Sequence, residues 1–121
     1  MIDSVVNGAV KKYLEFRYRN IEKFMLEPHA YQEKWRKKIL DTAKKTEYGK
    51  LYKFSELRSY SQFNSRIPIL KYEDIYPYIK KMLSGDTNIL WPGKIDWFSK
   101  SSGTTNDKSK YIPVSSDNLK E

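Results

Sequence analysis

The spacing of apolar residues in the first quarter of the chain constrains its fold more than any other feature. Between residues 4 and 26, apolar side chains recur at steps of three and four, with Lys, Arg and Glu between them: Val6, Val10, Tyr13, Leu14, Ile21, Phe24 and Met25. This period predicts one long amphipathic helix, with Asp3 or Ser4 as its N-cap. Glu27-Pro28 is expected to end it, because the residue before a proline avoids the helical region.

A second helix is predicted directly after this break. Pro28 suits a first helical turn, and one apolar stripe follows it: Tyr31, Trp35, Ile39, Leu40 and Ala43. The pattern fades at "TEYGK", where Gly49 is the expected C-terminal stop. Two helices joined by so short a break predict an antiparallel pair.

The middle of the chain alternates short helices with extended segments. Ser59, with Gln62 three residues later, predicts a capped short helix. "RIPIL" is expected to be extended because of its proline. A helical pattern then runs from Tyr72 to Ser84, with an expected interruption near Pro77 and an end at Gly85. "WPG" at 91–93 predicts a turn.

The last segment predicts a small β element. Residues 95–101 and 110–114 are candidate strands on either side of a hydroxyl-rich loop, which indicates a hairpin. In "SSDNLKE", Ser115 or Ser116 is a candidate helix N-cap and Leu119 the first buried residue. A helix that stops so soon is not stable alone, so we expect a fragment of a longer protein. The predicted class is α+β and mainly helical, with segments 1–49, 50–94 and 95–121.

Composition excludes several classes of protein. With 121 residues there is room for one small domain, and no run approaches the length of a transmembrane helix. The absence of cysteine excludes disulfides and thiolate metal sites, and the order of charges at the N-terminus does not match a secretory signal. We therefore expect a cytoplasmic protein without a membrane partner.

The charge balance raises the question of an anionic partner. The net charge is +8, from 23 basic and 15 acidic residues. Four lysine doublets lie in stretches expected to be helical, where charge commonly solvates an outer face: Lys11-Lys12, Lys37-Lys38, Lys44-Lys45 and Lys80-Lys81. Specific nucleic-acid binding is therefore not expected. Single-stranded nucleic acid nevertheless remains the strongest rival from another class, because the chain also carries many aromatic residues.

The stretch "SSGTTNDKSKYIP", residues 101–113, is the candidate functional motif. Backbone amides in a loop containing glycine can surround an anion, Ser and Thr hydroxyls can donate further hydrogen bonds, and a lysine adds a positive charge. The pattern is not that of a Walker loop. Asp107 would repel a phosphate unless it points away or holds a cation. By composition alone, a solvent-exposed turn explains the stretch equally well.

The order of residues resembles the ATP loop of the adenylate-forming superfamily, in the variant of the auxin-responsive Gretchen Hagen acyl-acid amido synthetases. The matching positions are Ser101, Ser102, Gly103, Thr104, Thr105, Lys110 and Pro113. "FNSRIPILKYEDIYPYIKKMLSGD" and "ILWPGKIDWFSKSSGTT" also follow the family's order, so the resemblance covers most of the chain. Asp107 departs from it, since plant members often have a glycine there.

The resemblance implies an ATP-dependent ligase and an α/β adenylate-forming fold for the whole protein. A carboxylic acid would attack the α-phosphate of ATP, and an amino acid would then displace AMP to form an amide. Residues Ser101 to Thr105 and Lys110 would bind the ATP phosphates, with Mg²⁺ expected alongside. The metal and adenine ligands and the mobile C-terminal domain would lie beyond Glu121, so the chain alone is expected to be inactive.

Other residues have simpler interpretations. His29 lies at a predicted helix start without metal-ligand spacing, and Glu73-Asp74 favour a helix dipole more than a paired-carboxylate site. Trp35, Trp91 and Trp97 are expected in the core. A helical interaction module is a third alternative, but it leaves the loop unexplained. The truncated C-terminal helix and the unpaired strand edges should leave apolar surface exposed, so we expect the isolated chain to self-associate or to remain partly loose.

Overall fold

The computed structural model describes residues 2–102 and 109–120. The chain divides into two compact units, Met1–Lys37 and Lys38–Glu121. Its described part is mainly helical with one small antiparallel sheet, which confirms the predicted α+β class. Among the described residues, no helix has both the length and the apolar character needed to cross a membrane.

The first unit contains helix α1, Ile2–Leu26, and the start of helix α2, Pro28–Ala43. The break before Pro28 is confirmed. Helix α1 begins at Ile2, so Asp3 and Ser4 lie inside its first turn and the predicted N-cap is wrong.

The predicted antiparallel pairing of α1 and α2 is also wrong. The apolar stripe that such a partner would cover is exposed, with Val10 at 50% and Ile21 at 52%. The link explains why: the amide of Glu27 donates to the Lys23 carbonyl at 2.9 Å, and the amide of Tyr31 donates to the Glu27 carbonyl at 3.2 Å. Helical hydrogen bonds on both sides of a single non-helical residue leave no chain for a reversal of direction.

The second unit begins with the end of α2 and continues through three short helical elements. Helix α3 spans Glu47–Leu51, a 3₁₀ turn spans Phe54–Glu56, and helix α4 spans Tyr60–Arg66. The hydroxyl of Ser59 accepts a hydrogen bond from the Gln62 amide at 3.2 Å, which confirms the predicted cap of α4. The core of this region consists of four buried residues: Leu40, Ala43, Phe54 and Leu57.

Gly49 does not stop α2, contrary to the prediction. Helix α2 ends at Ala43, and Gly49 is buried within α3. A Cβ atom on Gly49 would lie 2.1 Å from the Ala43 carbonyl oxygen, so glycine allows α3 to pack against the end of α2. Thr46 joins the two ends, since its hydroxyl donates to the Ala43 carbonyl at 2.7 Å and accepts from the Gly49 amide at 3.0 Å.

Helix α5, Tyr72–Leu83, is continuous through Pro77, so the predicted interruption is wrong. Pro77 removes the hydrogen bond to the Glu73 carbonyl, but both residues are exposed and water can replace it. The end is as predicted: Ser84 is the C-cap and Gly85 has a φ of +95°. The loop at 88–93 is closed by the Asn88 amide, which donates to the Gly93 carbonyl at 2.9 Å.

The predicted hairpin is confirmed. Strand β1, Trp97–Lys100, pairs antiparallel with strand β2, Tyr111–Val114, with Phe98 opposite Pro113 and Lys100 opposite Tyr111. Phe98 packs against a second core cluster of Met82, Ile89 and Ile95, to which Trp91 also contributes. Neighbouring residues of a strand point to opposite faces, so Trp97 points outward and is 68% exposed.

The predicted core positions are therefore only partly right. Trp91 packs in the core, whereas Trp97 and Trp35 are exposed. The hydroxyl of Ser115 accepts from the Asn118 amide at 3.2 Å, which confirms Ser115 as a cap. The 3₁₀ helix that follows, Asn118–Lys120, leaves Leu119 64% exposed, so its predicted burial is wrong.

Candidate phosphate-binding site

The hairpin brings the two ends of the candidate loop together. The amide of Ser101 donates to the Lys110 carbonyl at 2.9 Å, and the amide of Lys110 donates to the Ser101 hydroxyl oxygen at 3.0 Å. In a regular ladder the second bond would end on the Ser101 carbonyl. Here the side chain of Ser101 takes that role and closes the base of the loop.

Three of the six predicted phosphate-binding residues can be placed. Ser101 and Lys110 are half-buried neighbours at the base, and Ser102 is exposed one residue further along the loop. Gly103, Thr104 and Thr105 lie outside the described residues, as does Asp107. Although the Ser101 oxygen accepts a backbone hydrogen bond, its hydroxyl proton can still be donated to an anion.

Two lysines lie on adjacent rungs of the hairpin at this base. The Lys110 ammonium lies 5.6 Å from the centroid of the Tyr72 ring, and the Lys100 ammonium lies 6.0 Å from the centroid of the Tyr111 ring. Lys100 and Tyr111 are paired across the strands and so share a face, whereas Ser101 and Lys110 on the next rung point to the opposite face. Two cations supported by aromatic rings beside a loop suit an anionic ligand.

Tyr72 connects the loop to α5. Its hydroxyl accepts a hydrogen bond from the Tyr111 amide at 2.8 Å and donates to the Tyr111 carbonyl at 3.2 Å. Sequence reasoning missed this residue, since no local signal joins positions 39 apart in the chain. Lys100 was missed as well, although its place directly before Ser101 could have indicated it.

One acidic residue at the start of α5 has a structural role. The Asp74 carboxylate accepts from the Lys71 amide at 2.9 Å, which supports the helix-terminus interpretation of Glu73-Asp74. Over residues 2–102 and 109–120, no group of three His, Cys, Asp or Glu residues is arranged to hold a metal ion.

The predicted solvated positions of the lysine doublets are confirmed: all eight lysines are exposed. Lys44-Lys45 lies in the turn after α2, and the other three doublets lie in helices. His29 is exposed in the first turn of α2.

Comparison with known proteins gives a family for most of the chain. Residues 17–121 match the model of the GH3 family N-terminal domain. The chain is 31% identical over 120 residues to the indole-3-acetic acid-amido synthetase GH3.2 of Arabidopsis thaliana, an alignment that covers 98% of this chain and 21% of that protein. It is 37% identical over 83 residues to the jasmonoyl–L-amino acid synthetase JAR6 of Nicotiana attenuata, which covers 68% of this chain and 14% of that protein. The chain thus spans only 14% to 21% of the length of these relatives.

Proposed function

Because this chain belongs to the GH3 family, we propose that it is the phosphate-binding part of the large adenylating domain of an ATP-dependent acyl-acid amido synthetase. The observation that supports this proposal most directly is the closure of the loop by Ser101 and Lys110. Both residues occupy positions that match the ATP loop of that family, and a second lysine, Lys100, directly precedes Ser101.

The reaction has two steps in this proposal. A carboxylate oxygen of the acyl acid attacks the α-phosphorus of ATP, the bond to the β,γ-phosphates breaks, and pyrophosphate leaves with the electron pair. The amine of an amino acid then attacks the acyl carbon of the adenylate, releases AMP and loses a proton. The relatives' names give indole-3-acetic acid or jasmonate as acyl acids. We assign to this chain only a carboxylic acid and an amino acid as substrate classes.

The loop acts in the first step. Negative charge grows on the leaving pyrophosphate as the bond breaks, and donors that are already in place stabilise it. The Lys110 ammonium supplies a charge, while Ser101, Ser102 and the loop residues Gly103, Thr104 and Thr105 supply hydroxyl and amide donors. Magnesium bound to ATP would neutralise further charge, with ligands outside the described residues.

The role of the loop in the first step can be tested in the synthetase that carries this sequence. The assay measures exchange of labelled pyrophosphate into ATP that depends on the carboxylic acid. The assay isolates the first step from amide formation. Lys110→Ala removes a charge-assisted contact of about 1.5–3 kcal/mol, so we expect at least about a tenfold loss of exchange. Ser102→Ala should cost less, because a neutral hydroxyl is a weaker donor.

Lys80→Ala is the matched control, since Lys80 is an exposed lysine on α5 outside the loop. It should exchange at the wild-type rate. If Lys110→Ala also exchanges at that rate, the loop does not bind the phosphates and the interpretation as an exposed turn is correct.

A further inference from the structure

In the hydrogen-bond pattern of the hairpin, the backbone amide and carbonyl of Tyr111 in β2 point away from β1. Ser101 and Lys110 form a hydrogen-bonded rung, so the next pair, Lys100 and Tyr111, is a non-hydrogen-bonded one. The amide and carbonyl of Tyr111 therefore point to the outer edge of the sheet. A third strand would normally satisfy them.

The Tyr72 hydroxyl satisfies both groups instead. It accepts from the Tyr111 amide at 2.8 Å and donates to the Tyr111 carbonyl at 3.2 Å, as the edge of a neighbouring strand would do. Tyr72 is the first residue of α5, and the helix start is fixed by the bond from the Lys71 amide to Asp74. The start of β2 is thus held at a helix terminus that is itself fixed.

The same side chain also faces the lysine that precedes β2. The Lys110 ammonium lies 5.6 Å from the centroid of the Tyr72 ring, within the range of a cation–π contact. The hydroxyl fixes the backbone at Tyr111, and the ring faces the charged end of the residue before it. One residue therefore restrains both ends of the Lys110 side chain.

We propose that Tyr72 is a positioning residue for Lys110, which it holds toward the phosphates through the Tyr111 backbone and through its ring. This inference rests on the proposed function of the loop. A lysine with four rotatable bonds stabilises a developing charge only where its ammonium is already in place, because ordering it during the reaction costs free energy. Tyr72 removes part of that cost by acting through Lys110.

Two variants separate the two contacts. Tyr72→Phe removes the hydroxyl and keeps the ring, and Tyr72→Leu removes both. In pyrophosphate exchange by the synthetase, we expect kcat/KM for ATP to fall about threefold in the first and about tenfold in the second. Tyr76→Phe is the control, since Tyr76 lies one turn further along α5 and its ring is 5.6 Å from that of Tyr72. It should leave exchange unchanged.

Combination with Lys110→Ala distinguishes positioning from a structural role. If Tyr72 acts through Lys110, Tyr72→Leu changes exchange less than twofold once Lys110 is alanine. An equal loss in both backgrounds would mean that Tyr72 only stabilises the fold, and wild-type exchange in both Tyr72 variants would also overturn the inference. Wild-type exchange in Lys110→Ala alone would instead refute the proposed function, and this inference with it.

Hydrogen exchange on the chain itself gives a second readout that does not depend on activity. The Tyr111 amide should exchange about tenfold faster in Tyr72→Phe than in the wild type, because its acceptor is lost. The same amide should be unaffected in Tyr76→Phe. Equal protection in both variants would show that the hydroxyl does not hold β2 and would contradict the inference.

Discussion

Replacement of Gly49 by alanine should destabilise the second unit, although the same change normally stabilises a helix. The new Cβ would lie 2.1 Å from the Ala43 carbonyl oxygen and 3.0 Å from the Lys44 Cα, both backbone atoms. Ordinary contacts need about 3.4 Å, so α3 must move by more than about 1 Å from the end of α2. That movement breaks the Thr46 bridge between Ala43 and Gly49.

The cost follows from these two effects. Overpacking costs about 1–3 kcal/mol, and disruption of a buried hydrogen bond about 1–3 kcal/mol. Thr46 is 1% exposed, so water cannot replace the lost partner. The gain in helix propensity returns about 0.5–1 kcal/mol. We expect a net loss of about 1–5 kcal/mol, which lowers Tm by at least roughly 4–8 °C in a small domain.

Urea unfolding followed by circular dichroism measures this loss. Gly8→Ala is the matched control, because Gly8 lies in α1 and its Cβ would have no neighbour within 4 Å. The control should keep or raise the helical signal. Gly49→Ala should therefore lower stability, whereas Gly8→Ala should not. A Gly49→Ala chain as stable as the wild type would refute the close approach of α3 to α2.

Two further predictions follow from burial and exposure. The pKa of Tyr48 is raised from 10.0 to about 12. The main cause is burial of its hydroxyl, and the neighbouring Tyr52 and Tyr78 raise it further. The folded chain holds this proton more tightly than the unfolded chain, so the stabilisation is complete below about pH 10 and is lost as pH rises toward about 12. Tyr48→Phe should flatten urea-unfolding curves measured across that window, and an unchanged pH dependence would contradict the assignment. Separately, Trp97 at 68% and Ile112 at 52% exposure share the outer face of the hairpin, so sedimentation should detect self-association that Trp97→Ser reduces; a monodisperse wild-type monomer would exclude it.

Elements set by local rules could be predicted from the sequence. The period of α1, the break at Pro28 and the Ser59 cap depend on residues within one or two turns of each other, and all three are confirmed. The hairpin was also predictable, because two extended runs flank a segment rich in turn formers.

Features set by distant contacts could not be predicted in the same way. A glycine at position 49 is typical of a helix C-terminus. Only its distance to the Ala43 carbonyl shows that it instead lets α3 pack closely against the end of α2. Trp97 and Phe98 are adjacent and both aromatic, so which of them faces the core depends on the pairing register. For the site, the family pattern indicated Ser101 and Lys110, but it did not indicate that the Ser101 side chain closes the loop.

The role of α5 shows why the loop could not be understood from its own residues. Phe98 of β1 packs on the cluster that contains Met82 of α5, and Tyr111 of β2 is hydrogen-bonded to Tyr72 at the other end of the same helix. One helix therefore holds both strands of the hairpin, and a hairpin of two strands is marginal without such support. The geometry at Ser101 and Lys110 is thus fixed from outside the loop. A substitution that loosens α5 at either end should disturb the proposed phosphate binding even when every loop residue is unchanged.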